Sequence, residues 1–399
     1  MENQPVHFRV GTHWLHQDPN FNFQMNRTFL WGGGDLKELR EVGEKIKDTT
    51  SWEKEFIVLG EKALAAGRIQ NAIAYFRMAE FFMFDDHPAK IDIYDKARDL
   101  FYDYYSGTFQ DRKIITDKIP YETGYLPVWH AAPPDGPVRD TLLIHGGFDS
   151  YLEEFLPVIL YLQSCGFAVY MFEGPGQGMA IRKYKIPFTY EWEKPVKAVL
   201  DFYRLEEVTA IGISLGGMLA PRAAAFEPRI KRVVGWSILP NFLEVLIATR
   251  KPELQQLLRL LLRLKLKKLT NAMIRSQMAK DPLMKWGINH GSYVFGVKTP
   301  YEYLRRANDF QIWNIADQIT QDFLLLGAQQ DHFIPLNFYP QEIDALQKVR
   351  SLTFRIFTGE ERAESHCNIG NMKLALDFIM QWIEHLKGRD DEIASLSRE

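Results

Sequence analysis

The stretch TAIGISLGGMLAPRAAAFEPRI, residues 209–230, passes from a β-prone run into an alanine-rich helical pattern, with Ser214 at the junction between Gly212 and Gly216. A strand that enters a helix through so tight a turn holds the turn residue in a strained backbone conformation, and the flanking glycines leave the room it needs. Its hydroxyl is pushed into the open. The start of the following helix aims backbone N–H groups at the same place, so charge developing on a bound oxygen would meet oriented donors, notably the Leu215 amide. A glycine-rich packing turn gives the same letters, so the G-x-S-x-G pattern has to be judged by its surroundings.

Those surroundings alternate short apolar runs with helical segments: TLLIHGG from 141, FAVYMFEGPGQG from 167, VTAIGIS from 208, RVVGWSIL from 232, DFLLLGAQQD from 322 and LTFRIFTG from 352. Near-continuous apolar strands separated by helices predict an α/β fold, a mostly parallel sheet with both faces covered. Ahead of it, IITDKIPYETGYLPVWHAAP has β-prone runs broken by Pro120, Gly124 and Pro127, an entry hairpin. A last helix over roughly 371–387 closes the sheet. Between a strand ending near Leu239 and one starting near Asp322 lies a long, mostly helical stretch, more than a crossover requires, and it reads as a cap inserted over a site. Residues from about 35 to 105 are helical in pattern, with a hairpin turning at Gly67; this resembles a single tetratricopeptide-like unit without a second copy. Asp35 and Glu38, after the glycines 32–34, fit a helix N-cap and its N3 partner better than a phosphate loop. The expected organisation is a helical N-terminal domain (1–110), a first part of the core (111–240), a helical cap (241–315) and a second part of the core (316–399).

A serine hydroxyl is a poor nucleophile near neutral pH, so a histidine has to take its proton and an acid has to fix that histidine's tautomer, in the chain order serine, acid, histidine. Of the ten histidines, His332, His366 and His385 follow the plausible acid strand. His385 lies on the closing helix and is expected to face solvent. His332 directly follows the candidate acid Asp331 and is expected to point elsewhere. His366, in the loop GEERAESHCNIG, is the candidate base, with a hydrogen-bonded loop histidine as the plainer alternative. Asp331 ends its run at the carboxyl edge, where open α/β sheets place their sites; its plainer role is a loop cap. The second oxyanion donor is expected from HGGFDS, residues 145–150, as the amide of Gly147 or Phe148. Asp149 is a candidate substrate contact, and Ser150 with Glu153 has capping-box spacing.

The segment Glu173-Gly174-Pro175-Gly176-Gln177-Gly178 does not have dinucleotide-binding spacing and lacks a following acidic ribose reader, and no ligand cluster has metal spacing, so neither cofactor nor metal is expected. A chain of 399 residues, 46% hydrophobic and with a formal charge of −3, has ample core and no nucleic-acid footprint, so the expected partner is a small molecule. Cys165 and Cys367 cannot form a disulfide framework, the sequence MENQPVHFRV does not read as a signal peptide, and no stretch is apolar enough to span a membrane, so a cytoplasmic protein is expected. The basic, leucine-rich segment 257–269 fits a membrane surface less well than a lid helix burying an apolar face against the core. Aromatic residues gather from Trp286 to Trp313, through Tyr293, Phe295, Tyr301, Tyr303 and Phe310, suiting either a ring-bearing substrate or packing between cap and core.

HGGFDS at 145–150, FEGPGQG at 172–178, GISLGG with RAAAFEPRI over 212–230, QQDHFIP at 329–335 and SHCN at 365–368 together resemble the α/β-hydrolase superfamily. The resembled branch contains the bacterial 2,6-dihydroxypseudooxynicotine hydrolase, fungal polyketide-shortening hydrolases of pigment synthesis and the fermentation-respiration switch protein. The resemblance covers most of the chain, N-terminal helices included. It implies Ser214 as nucleophile, Asp331 as acid and His366 as base, a helical segment packed over the core beside the cap, and a homodimer. Some of these enzymes cleave a carbon–carbon bond beside a ketone with help from an acidic residue after the sixth strand, and Glu244 lies in the comparable region; its plainer reading is a surface residue of a cap helix. The expectation is a cofactor-independent serine hydrolase acting through an acyl-enzyme on a small aromatic or polyketide-like ketone or ester. The alternatives are an acyltransferase using the same triad and a non-catalytic regulatory or binding protein on a hydrolase fold.

Overall fold

The computed structural model describes residues 6–237 and 240–396. Its frame is one eight-stranded sheet, formed by β1 (Ile115–Tyr121), β2 (Gly124–Ala131), β3 (Thr141–His145), β4 (Ala168–Phe172), β5 (Val208–Ile213), β6 (Ile230–Trp236), β7 (Asp322–Ala328) and β8 (Ser351–Phe357), in the spatial order β1-β2-β4-β3-β5-β6-β7-β8. The hairpin β1–β2 joins β4 antiparallel, and every pairing from β4 to β8 is parallel. Each residue of β5 and of β7 is buried, as parallel strands covered on both faces require. Pro120 and Pro127 lie inside β1 and β2 rather than breaking them. They are tolerated because β1 is the sheet edge and because the β2–β4 ladder begins only at Val128, so neither proline deprives a central ladder of an N–H. The predicted strand end near Leu239 falls outside the described residues; β6 stops at Trp236.

Among the described residues five helices precede the sheet: α1 (Pro19–Leu30), α2 (Leu36–Gly43), α3 (Thr49–Ala65), α4 (Ile69–Phe81) and α5 (Lys90–Asp111). Asp48 and Ser51 form a reciprocal capping box that starts α3, and Gly67 turns α3 into α4 with φ at +70°. Asp35 caps α2 by accepting the Glu38 N–H at 2.9 Å, but the Glu38 carboxylate turns away to Arg68 and Tyr75, so the expected capping box is only half formed. These helices enclose their own core around Trp52, Phe56, Tyr75, Phe76 and Phe82.

The crossovers are α6 (Leu156–Ser164), α7 (Gly178–Arg182), α8 (Glu193–Tyr203) and α9 (Gly216–Ala224). On one face of the sheet Trp192, Val199 and Leu219 pack on Leu143, Ala210 and Val233; on the other Ile159, Leu376 and Ile379 pack on Ile144, Ile211 and Leu324. Between β6 and β7 come α10 (Phe242–Ile247), α11 (Pro252–Arg263), α12 (Lys267–Met278), α13 (Pro282–Val294) and α14 (Pro300–Ala307). The two ends of this insertion meet in a neck, where Phe242 N–H donates to Phe310 O and Ile312 N–H to Pro240 O, both at 2.9 Å. The leucine-rich segment is not one helix: α11 and α12 break at Lys265, which has φ at +57°. After α15 (Phe338–Ala345) and β8, the closing helix α16 (Met372–Leu396) runs well past the predicted end, and His385 on it is exposed.

Candidate active site

Ser214 follows β5 directly and has φ at +61°, a left-handed conformation costing a non-glycine residue about 1–3 kcal/mol. The cost is borne because the turn is pinned on both sides: Ser214 N–H donates to Trp236 O at 3.0 Å, and Ser214 O accepts the Gly217 N–H at 2.8 Å. Gly212 is obligatory for a different reason, close approach, since a Cβ there would stand 1.9 Å from Gly216 O.

From beyond β8, His366 reaches back so that its Nε2 lies 2.9 Å from Ser214 Oγ. Its Nδ1 lies 2.7 Å from Asp331 Oδ2. Asp331 Oδ1 in turn accepts the N–H groups of Phe333 at 2.9 Å and Ile334 at 3.1 Å, which fixes the carboxylate. Burial disfavours the His366 imidazolium, but the Asp331 carboxylate, with a smaller contribution from Cys367, outweighs it and raises the histidine's pKa well above its usual value. The three side chains, separated by long stretches of sequence, thus form one hydrogen-bonded line at the carboxyl edge of the sheet. With Nδ1 donating to Asp331, Nε2 is left to accept the serine proton.

The loop 145–150 runs beside Ser214. Gly147 N–H donates to Ser150 Oγ at 3.1 Å, so of the two amides expected as donors Phe148 is the one not engaged within the loop. The expected Ser150–Glu153 capping box is absent: the helical turn after it begins at Leu152, and Glu153 pairs with Arg98 at 2.8 Å. The loop is gripped from several elements. Gln177 Nε2 donates to Gly146 O at 2.8 Å and to Gly147 O at 2.9 Å. Arg77 of α4 donates to Asp149 O at 3.0 Å, and His290 of α13 lies 3.4 Å from Phe148 O. Burial holds His290 neutral, pushing its pKa down to about 3, so it can donate from Nε2 without bringing a charge. The FEGPGQG motif therefore supports this loop. Glu173 accepts the N–H groups of Leu152 at 2.9 Å and Met179 at 2.6 Å, and burial, reinforced by Glu153, pushes its pKa up to about 7.

Ser214, Phe148, Leu215 and His366 border a cavity of about 580 Å³ roofed by α10–α13 and walled on one side by α1. Asp149 lines it, with its carboxylate held by Arg27 at 3.2 Å. Glu244 does not line it. Asn241 caps α10 by accepting Glu244 N–H, which sets the helix phase so that Val245 and Leu246 face the cavity, while the Glu244 carboxylate turns to Arg259. The expected substrate role for Glu244 is thereby corrected to a surface ion pair. Of the aromatic cluster, Trp286 and Tyr303 line the cavity, Phe295 and Phe310 are packed in the core, and Trp313 is 40% exposed.

Two contributions went unread in the sequence. His332 does not point away but lines the same cavity, with its ring 5.1 Å from Phe23, and burial aided by His366 drops its pKa to about 4. The α1 residues Phe23, Gln24 and Arg27 also line the cavity, and the Phe23 ring meets His366 edge-on at 5.9 Å. The signal for α1 was present, Asp18 as N-cap before Pro19 at the first helical position. Among the described residues no His, Cys, Asp or Glu side chains gather as a metal site, and no helix is long and apolar enough to cross a membrane.

Comparison with known proteins agrees with this architecture. The family model for the alpha/beta hydrolase fold matches residues 142–361. The chain is 29% identical to the hydrolyase poxO of Penicillium oxalicum, over 86% of this chain and 89% of that one. It is also 29% identical to the 20-hydroxy-prefusarin hydrolase FUS2 of Gibberella moniliformis, over 71% of this chain and 76% of the relative. Among solved structures, AbyA5 superposes with a TM-score of 0.65 at 18% identity, covering 88% of this chain and 90% of its own. The 2,6-dihydroxy-pseudo-oxynicotine hydrolase superposes with a TM-score of 0.57 at 19% identity, covering 90% and 94%. At such identities these two share the fold. The chain is a hydrolase and belongs to the α/β-hydrolase fold family.

Proposed function

We propose that the chain is a cofactor-independent serine hydrolase in which Ser214 attacks a carbonyl carbon, His366 is the general base and Asp331 orients that base and stabilises the imidazolium it becomes. The single observation that carries this reading is the continuous line Ser214 Oγ–His366 Nε2 (2.9 Å) and His366 Nδ1–Asp331 Oδ2 (2.7 Å) opening on one cavity. The serine proton passes to His366 Nε2 as the Oγ–C bond forms, and the negative charge on the former carbonyl oxygen is taken up by the amides of Leu215 and Phe148. Collapse returns that electron pair, breaks the bond to the leaving group and delivers the His366 proton to it, leaving an acyl-enzyme. Water, deprotonated by the same histidine, then frees the acid and restores Ser214.

The cavity and the relatives support one substrate class. A space of about 580 Å³ walled by Phe23, Phe148, Phe242, Trp286 and Tyr303 suits a small ring-bearing or polyketide-like molecule. One relative is named for 20-hydroxy-prefusarin and one structural neighbour for 2,6-dihydroxy-pseudo-oxynicotine. The bond cleaved is an ester or a carbon–carbon bond beside a ketone, since the same attack on a carbonyl serves both. Ser214→Ala is expected to lower turnover of an aryl ester by about 10⁵–10⁶-fold while the protein still folds. A fluorophosphonate should add one adduct at Ser214, seen by peptide mass. Wild-type turnover in Ser214→Ala, or no adduct on folded wild type, would end the proposal.

A further inference from the structure

The segment Arg263–Leu269, RLKLKKL, is exposed at every one of its residues. It forms the elbow between α11 and α12 on the outer side of the insertion. Leu264, Leu266 and Leu269 stand out here with Leu257 and Leu260 of α11, at exposures from 38% to 59%. Leu257, Leu260 and Leu264 fall on one helical face by spacing, so they form a stripe. Leu258 and Ile274, on the inward sides of the same two helices, are buried and line the cavity. A lid needing only an inner apolar face would not place a second group of leucines in water.

Charge distinguishes this patch further. Residues 254–280 hold seven lysines and arginines and no aspartate or glutamate, in a chain whose formal charge is −3. Arg259 is held by Glu244, and Lys267 lies 5.9 Å over the Tyr301 ring; Arg263, Lys265 and Lys268 point into solvent around the leucines. Leucines rimmed by cations match an anionic lipid surface, where apolar side chains enter below the headgroups and cations meet the phosphates. A second copy of this chain fits poorly, because two-fold pairing of the patch would set its cations against one another.

We propose that the α11–α12 elbow docks the protein on anionic lipid bilayers. Docking brings the helices that roof the cavity against the acyl-chain boundary, where apolar molecules dissolve, so the cap meets substrate on its outer face and encloses it on its inner one. The docking stands independently of the reaction assigned to Ser214.

The test is co-sedimentation of the full chain with phosphatidylcholine vesicles, with and without phosphatidylglycerol. Partition is expected to be about a hundredfold stronger onto the anionic vesicles and to weaken in salt. The variants Leu264→Asp/Leu269→Asp and Lys267→Glu/Lys268→Glu should lose it while keeping their melting temperature and their rate on a water-soluble ester. Equal binding to both vesicles, or none to either, overturns the proposal. So does a wild-type dimer in analytical ultracentrifugation that Leu264→Asp/Leu269→Asp dissolves, which would make the patch a contact between copies.

Discussion

A histidine that takes a proton from Ser214 works only while it is neutral, and His366 sits where its charged form is favoured. Burial opposes the imidazolium, yet Asp331 at 2.7 Å prevails and raises the pKa. The acid limb of kcat/KM is therefore expected above about pH 6.5, the usual imidazole value. Asp331→Asn removes the charge, moves that limb downward and lowers kcat by about 10⁴-fold, because the asparagine amide no longer holds the tautomer with Nε2 free. A pH–rate profile of wild type and variant reads both effects, and a wild-type limb at or below 6.5 would show that Asp331 does not set the base. The folded-state pKa is raised, so the pairing contributes full stability at acid pH and loses it as pH climbs through the raised value. Ser214, Asp331 and His366 could be chosen from sequence because each follows a run whose strand character is unmistakable. Glu244 could not be placed that way. Its direction depends on the phase of α10, fixed by the Asn241 cap, and one residue of phase separates a cavity wall from a surface ion pair.

The loop after β3 is held by side chains from α4, α13 and the turn after β4, none of them its own neighbours in sequence. Gln177 does the most, bonding two successive carbonyls, and its Oε1 is itself fixed by the Gly174 N–H at 2.9 Å. Gln177→Leu leaves the Gly146 and Gly147 carbonyls buried without that donor, at a cost to stability of about 1–3 kcal/mol. It also frees the peptide that carries the Phe148 N–H. Turnover should fall by about 10²-fold, up to the range seen when one oxyanion donor is lost, with KM nearly unchanged. Affinity for a trifluoromethyl ketone, whose adduct places an oxyanion there, should fall in step with kcat; affinity for the reaction product should not. Parallel loss of both would indicate a distorted pocket instead. By its spacing FEGPGQG only excludes a nucleotide loop, and as a motif of the resemblance it carries no assigned role, because a staple between two loops leaves no periodic trace. Helix α1 was missed for a related reason. It buries Gln24, Asn26, Arg27 and Thr28 beside Phe21, Phe23 and Met25, so it lacks the apolar stripe by which a helix is recognised.

The alternation of strands and helices was plain from the sequence, whereas the joint between the N-terminal helices and the sheet was not, since it is built from charges that look like surface residues. Its centre is Glu80, fully buried at the end of α4. The carboxylate meets Lys90 of α5 at 2.6 Å and Arg182 of α7 at 3.0 Å, and accepts the Tyr151 hydroxyl next to the 145–150 loop. Burial pushes its pKa up, but Arg182, Lys90 and Arg77 overcome this and bring it down to about 2. Its contribution is thus present above the unfolded carboxyl range of about 4.3 and lost as pH falls toward 2. Glu80→Gln strands buried cations without their counter-charge, which costs about 3–5 kcal/mol. Lys90, whose pKa burial depresses to about 8, gives the loss a pH signature. Near pH 7 it stays charged in wild type, where Glu80 helps hold its proton; without Glu80 it gives that proton up at lower pH, and by about pH 9 the charged pair is lost in wild type too. Urea unfolding of wild type and Glu80→Gln should therefore show a stability gap that narrows between pH 7 and about 9 without closing, because Arg182 cannot deprotonate. A gap independent of pH would assign the joint's stability to packing around α4 and α5 instead of to Glu80.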